Sequence, residues 1–307
     1  MKNIVIFGCQ EIAYNIINNL KDKKNLINIS AVVSYETIYD KLYGFKQDIK
    51  KICLKNKIKY IQKKRIDNEI VNKLKKFNPD FIFSIYSRTI LNKKILSIPK
   101  NGCINIHPSI LPNYRGSVPT AWAILNNEKK TGITIHQMNE NIDEGPILFQ
   151  KKFAIKDNET GFELHSRAMK LGYAFFIKNI EKIINRNFRK KSQKGTGSYY
   201  GKLQVSNRID WKTKAINIHN LIRVFSSPYI QCQSKLFNKI IFINKSIIVK
   251  SKRPIKNKCG LIVNINKKNH LFVSCADGFI KIINYKIYPE LKNFEKKIIL
   301  KVGNKLE

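Results

Sequence analysis

FIFSIYSRTILNKKILSIPKNGCINIHPSILPNYRG, residues 81–116, holds two short apolar runs, Phe81–Ile85 and Cys103–Ile106. Each has the length and the flanking punctuation of a buried strand. The pattern extends toward the N-terminus. Ile4–Phe7 is a strand candidate ended by Gly8, and Ile12–Leu20 has helical spacing. A strand over Ile29–Val33, a helix over Ile49–Lys57, a short strand over Ile58–Ile61 and an amphipathic helix over Asn68–Phe77 follow. Strands that alternate with helices predict an α/β fold, a Rossmann-like, doubly wound, mostly parallel sheet with helices on both faces. Ligands of such sheets bind beyond the carboxyl ends of the strands. Gly8 has no glycine companions, so FGCQEIA is a tight strand-to-helix turn and not a dinucleotide fingerprint.

A long helical pattern runs from Glu163 to Arg186, after which residues 189–207 take on the basic, glycine-containing composition of a linker. The expected division is 1–188 as the catalytic domain, 189–207 as linker and 208–307 as a smaller domain. That domain opens near Asp210-Trp211 with a helix candidate over Ala215–Phe225. Short apolar runs then follow, among them Ile240–Ile243, Ile247–Val249, Leu271–Ser274 and Phe279–Tyr285. Their spacing predicts a small β-barrel, OB-like in kind.

Composition narrows the class. Of 307 residues 43% are hydrophobic, enough for packed cores, and no apolar run is long enough to cross a bilayer. MKNIVIFG is interrupted at once by Gln10 and Glu11, so a first strand is expected and not a secretory signal. The six cysteines form neither CxxC nor CxxH, which leaves no metal site expected and fits reduced thiols in the cytoplasm. The net charge of +37 admits a nucleic-acid partner. Most of the excess is Lys spread along the chain beside abundant Ile and Asn, a pattern that A- and T-rich codons also produce.

Chemistry concentrates in residues 102–147. Asn105 and His107 sit two apart at the end of a strand, so they share one face. The loop that follows is stiffened by Pro108 and Pro112. Asp143 lies in NIDEGPI, in the turn after the strand Gly132–Met138. An amide donor for a developing oxyanion, an imidazole that titrates near neutrality and a carboxylate to orient it are the parts acyl transfer to an amine requires. Taken singly, each is an ordinary loop residue. Cys103 shares their parity deeper in the strand and is expected in the core. His136, His165, His219 and His270 lack ligand spacing and are assigned structural roles.

NIHPSILPNYRG with the downstream Asp143 and Gly145 resembles the folate-dependent formyltransferases, whose motif is Asn-x-His-[Pro/Gly]-Ser-x-Leu-Pro followed by Asp-x-Gly. The likeness covers nearly the whole chain. It implies that Asn105, His107 and Asp143 are catalytic, and that 10-formyltetrahydrofolate donates the formyl group without a covalent enzyme intermediate. It also implies that protonated His107 steadies the oxyanion. The pterin is then expected against Ile85, Tyr86, Ser87, Arg88 and Ile90, and against Asn139, Asn141 and Ile142. Ser109, Arg115 and Trp122 are candidate contacts to the acceptor.

The acceptor divides the family. Glycinamide ribonucleotide enzymes resemble only the first domain. Formyltetrahydrofolate hydrolases carry an N-terminal regulatory domain, whereas this chain opens on its first strand. Methionyl-tRNA formyltransferase has a C-terminal barrel, but its basic loop after the second strand is not seen in SYETIYDKLYGFKQD. The nucleotide-sugar formyltransferases resemble the chain in DFIFSIYSRTILNKKIL, in Tyr43-Gly44, in YRG followed by VPTAWAILN, and in SYYGKLQVSNRIDWKTKAINIHNLIRVFSSPY. A nucleotide-linked amino sugar is the expected acceptor, initiator Met-tRNA the alternative, and a basic nucleic-acid-binding module with a vestigial trio the reading from another class.

Overall fold

The computed structural model describes residues 1–35, 48–63, 65–87, 89–249 and 258–307. Arg88, Tyr43-Gly44 and most of SYETIYDKLYGFKQD therefore lie outside the described residues. The chain forms two compact units, one of residues 1–119, 131–153 and 166–202, the other of 120–130, 154–165 and 203–307.

The first unit is built on a seven-stranded sheet of order β3-β2-β1-β4-β5-β7-β8. Its strands are β1 (Lys2–Gly8), β2 (Ile27–Ser34), β3 (Lys59–Gln62), β4 (Phe81–Ile85), β5 (Cys103–His107), β7 (Lys130–Gln137) and β8 (Ile147–Ala154). The first five run parallel, and β7 lies antiparallel to β5. Alternation along β1 decides what covers each face. Ile4 and Ile6 join a core with Ile12 and Ile16 of α1 (Gln10–Leu20), while Val5 and Phe7 join a second core with Ile70 and Leu74 of a helix at Asn68–Lys76. Ile52 of α2 (Ile49–Lys55) lies on the α1 side, so the Asn68–Lys76 helix is α3. Asp48 and Asp67 cap α2 and α3 by accepting from Lys51 N and Ile70 N. Ile95 of the single turn α4 (Lys93–Leu96) joins the α3 side. Phe83 and Phe176 meet edge-on at 5.2 Å in the first core. Fully buried side chains of this size contribute roughly 1.5–3 kcal/mol each. The doubly wound order expected from the sequence is present, and the carboxyl ends of β4 and β5 lie side by side.

In the second unit β10 (Cys232–Leu236), β11 (Lys239–Val249), β14 (Gly278–Tyr288), β13 (Leu271–Cys275) and β12 (Ile262–Ile265) form an antiparallel sheet in that order. Residues 304–307 pair with both edges. Glu307 exchanges backbone hydrogen bonds with Lys235 of β10, while Leu306 bonds Gly260 beside β12 and Asn304 bonds Ile262 of β12. The sheet thus closes on itself, as the spacing of short strands predicts, which removes exposed edges. Its core of Ile241, Ile243, Ile280 and Ile282 also takes in Ile218 and Ile222 from the helix Ala215–Val224.

Candidate active site

Asn105 and His107 extend from β5 on the face opposite Ile104 and Ile106, which are spent in the core. Cys103, on their parity, is buried, and burial pushes its thiol up to about 12. The loop after β5 is fixed from within the sheet. Thr134 Oγ1 on β7 donates to Ser109 O at 2.7 Å and accepts from Leu111 N and Gln150 Nε2. Ser109 is wholly buried and donates to Asn113 O at 2.8 Å, so its hydroxyl closes the loop and does not reach the surface. Beyond it, Arg115–Gly116 (β6) pairs in parallel with Tyr199–Tyr200 (β9). Tyr114 stacks on Tyr200 at 5.2 Å. Gly116 has φ 92 and a Cβ there would overlap the Tyr200 carbonyl, so this close approach requires glycine.

Asp143 brings the group together. Its backbone is left-handed, φ 55, a conformation Asp tolerates better than most residues. Oδ2 accepts from Gly116 N at 2.9 Å and faces His107 Nδ1 at 3.5 Å. Oδ1 accepts from Asn105 Nδ2 at 3.3 Å. His107 Nε2 stands 2.7 Å from Tyr114 O, and since a carbonyl only accepts, Nε2 carries the hydrogen and Nδ1 is the basic position.

The electrostatics follow from burial and these neighbours. Burial pushes His107 below its ordinary value, outweighing Asp143 and the Tyr114 carbonyl, so the resting imidazole is neutral. Burial alone raises Asp143, but His107, then His136 and the Gly116 amide, hold its carboxyl well below the usual carboxylate range.

Two participants escape the sequence reading. His136, assigned a structural role, lies directly across from Asn105 in the β5–β7 register. Its Nε2 is 3.0 Å from Asn105 Nδ2 and 3.4 Å from Asp143 Oδ1, and its Nδ1 faces Gln137 O at 3.1 Å. The amide hydrogens of Asn105 are thereby aimed at His136 and Asp143. Strand pairing is the signal that locates His136, since metal-ligand spacing does not. Gln193, inside the stretch of linker composition, donates to Asp143 O at 2.7 Å and Gly145 O at 2.8 Å. That stretch belongs to the first unit as far as residue 202.

The remaining candidates separate. Arg115 Nη1 meets Glu144 Oε1 at 3.0 Å, and its Nη2 donates to Gln193 Oε1 at 2.8 Å, so the guanidinium braces the loop. Ile85 is buried in β4, its carbonyl accepting from Cys9 N. Tyr86 follows with φ 50, and Ser87 Oγ accepts from Thr89 N. Asn141 N donates to Asn139 Oδ1. The segment holding Ile90 and the loop holding Asn139, Asn141 and Ile142 meet through a Lys93–Glu140 ion pair of 3.0 Å. Ile90, three residues before Lys93, and Ile142, two after Glu140, are exposed apolar residues. Trp122 lies half-buried on α5 (Pro119–Leu125) and belongs to the second unit. Among the described residues, no three His, Cys, Asp or Glu side chains group as metal ligands, and no helix is long and apolar enough to cross a membrane.

Residues 1–180 match the family described as formyl transferase, and residues 204–293 match its C-terminal domain. The chain belongs to the formyl transferase family. It is a formyltransferase enzyme, as the sequence motif implies. Among relatives, methionyl-tRNA formyltransferase of Clostridium acetobutylicum is 34% identical over 268 residues, 83% of this chain and 85% of that protein. The bifunctional polymyxin resistance protein ArnA of Wigglesworthia glossinidia brevipalpis is 33% identical over 306 residues, 97% of this formyltransferase but 46% of ArnA. Among solved structures, the sugar 3N-formyltransferase WlaRD, with dTDP and 5-N-formyl-THF, superposes with TM-score 0.70 at 27% identity, covering 95% of this chain and 99% of that one. An N-formyltransferase of Helicobacter canadensis in complex with folinic acid and dTDP-3-aminofucose superposes with TM-score 0.70 at 26% identity, covering 92% and 98%.

Proposed function

We propose that this formyltransferase moves a formyl group from 10-formyltetrahydrofolate to the amine of a nucleotide-linked amino sugar, with Asn105, His107 and Asp143 as its catalytic residues. The observation that carries the acceptor is the extent of the likeness. The two sugar-nucleotide enzymes cover 92–95% of the chain and nearly all of their own length, both units included. The six cysteines are all free, which accords with a reducing, cytoplasmic compartment.

The folate fits the residues at the strand ends. Exposed Ile90 and Ile142 offer apolar flanks for a flat ring, and the backbone of 139–142 offers polar groups beside them. When bound, the folate supplies a formyl group already at the acid oxidation level, so transfer needs only a nucleophile and proton management. Asn105 presents Nδ2 hydrogens, one of them in a long 3.3 Å bond to Asp143 that an oxygen gaining negative charge competes for well. Neutral His107 takes up the proton lost by the attacking amine at Nδ1 and later returns it to the leaving nitrogen. Asp143, ionised and 3.5 Å away, stabilises the imidazolium during that interval.

The test is direct. Purified protein with 10-formyltetrahydrofolate is offered dTDP-3-aminofucose, a UDP-linked amino sugar and charged initiator tRNA. Product is expected with at least one sugar nucleotide and absent in His107→Ala. Formylation of the tRNA alone sinks the sugar reading.

A further inference from the structure

We propose that Gln193 is a positioning residue for Asp143, its carboxamide holding the left-handed backbone that aims the carboxylate at His107 and Asn105. The inference rests on the catalytic assignment above. One Nε2 group bonds the carbonyls of Asp143 and Gly145, on either side of Glu144. The same side chain's Oε1 accepts from Arg115 Nη2 and Nε at 2.8 and 3.2 Å, and Arg115 in turn holds Glu144 at 3.0 Å. All three residues of the 143–145 turn are thus tied to one amide. Gln193 is itself fixed, because Lys191 and Ile147 exchange two 2.8 Å backbone bonds at the start of β8. Asp143 needs such a tether. Its φ of 55 lies in a sparsely populated region, and its carboxylate must meet partners from two separate segments: Asn105 and His107 of β5 and Gly116 of β6. A turn free to relax to ordinary dihedrals swings the carboxylate off that set. An amide suits the task because one end donates to carbonyls while the other accepts from a guanidinium. A carboxylate at 193 keeps the second contact and turns the first into repulsion.

Gln193→Met and Gln193→Glu separate these contacts. Both are expected to lower kcat by about 10- to 100-fold, as small misplacements of catalytic groups do, with KM for folate and acceptor little changed. A second readout needs no turnover. The His107 ring titration, followed by NMR in the free enzyme, is expected to move to lower pH. The ring is faced by the Tyr114 carbonyl and by two titratable groups, Asp143 and His136, and Asp143 is the one that favours its charge. Full activity in Gln193→Glu assigns the effect to Arg115 and overturns the proposal. So does a wild-type His107 titration in both variants. Gln193→Glu carries the test if Gln193→Met fails to fold. Asp143→Asn is measured alongside. If it is fully active, the catalytic assignment falls. If it is inactive while Gln193→Met behaves as wild type, only the positioning role falls.

Discussion

Two buried histidines, one in each unit, show how near-identical imidazoles come to be placed for different work. His107 and His219 are 4% and 5% exposed, both donate Nε2–H to a backbone carbonyl, and burial pushes both below their ordinary value. The difference lies at Nδ1. His219 faces the Ser246 hydroxyl at 3.0 Å, which donates to the neutral ring. Arg223, one helical turn on, adds a positive charge that further disfavours protonation. His107 faces the carboxylate of Asp143 at 3.5 Å, which welcomes protonation. Backbone tells the same story. His219 sits in the helix Ala215–Val224, whereas His107 is ringed by left-handed Tyr114, Gly116 and Asp143. A satisfied neutral ring on regular backbone is a structural part. A neutral ring beside a waiting anion on strained backbone is poised to take a proton.

The strongest way to break this comparison is Asp143→Asn, which keeps the shape and removes the charge. Formyl transfer is expected to fall by roughly 10³- to 10⁴-fold in kcat/KM, the scale seen when a triad carboxylate becomes an amide. His219→Gln is expected to leave kcat/KM within about twofold, since its Nδ1 faces a hydroxyl and not a carboxylate. Steady-state kinetics on both variants decides the point. Comparable losses in the two would mean that the carboxylate is not what separates them.

The strand that carries Asn105 and His107 was legible in the sequence because the local grammar was strong. Apolar Ile104 and Ile106 alternate with Asn105 and His107, and proline then stiffens the loop. Strand-end parity is a property of neighbouring residues and needs no tertiary information. What it did not disclose depends on long-range pairing. His136 enters through the β5–β7 register, thirty-one positions from Asn105. Gln193 is fifty positions from Asp143, in a stretch whose composition is that of a linker. Ser109 and Arg115 are expected from the sequence to contact the acceptor, whereas the folded loop turns one toward Asn113 O and the other toward Glu144. The division between cores was legible from periodicity. The segment that closes the second sheet, residues 304–307, was not, because its pairing is made by isolated bridges and not by an apolar run.

The structural side of the comparison sharpens through Arg223. The residue is 6% exposed, and its guanidinium donates to the carbonyls of Lys156, Asp157 and Glu159 and to Asn220 Oδ1. Arg223→Met keeps the length and strands those acceptors. A loss of about 2–4 kcal/mol is expected, the range for burying unsatisfied polar groups. Urea unfolding measures it. The kcat of the molecules that remain folded is expected to be unchanged. A normal unfolding midpoint would show that water replaces the guanidinium at little cost and that this cluster is less committed to structure than its geometry implies.

The smallest effect concerns acid, where both histidines act alike despite their different work. An unfolded histidine titrates near about 6.5, and each of these rings lies lower in the folded state. Between the two values the unfolded chain binds the proton and the native state does not, so stability rises with pH across that window. It is therefore complete above about 6.5 and is lost as pH falls below it, by at most about 1.4 kcal/mol per pH unit for each ring. Asp143 is displaced downward too, but as a carboxylate its contribution persists until about 3.9 and is lost only below that, so its window opens well below the pH at which the histidine window opens. His219→Gln removes one ring's titration while its amide can still donate to Asp157 O. The dependence of unfolding free energy on pH between about 7 and 5 is then expected to become shallower, with the activity profile unmoved. An unchanged slope would mean that His219 is protonated as readily in the native state as in the unfolded one. Arg223, lying beside it, would then not be the bar to protonation that separates this ring from His107.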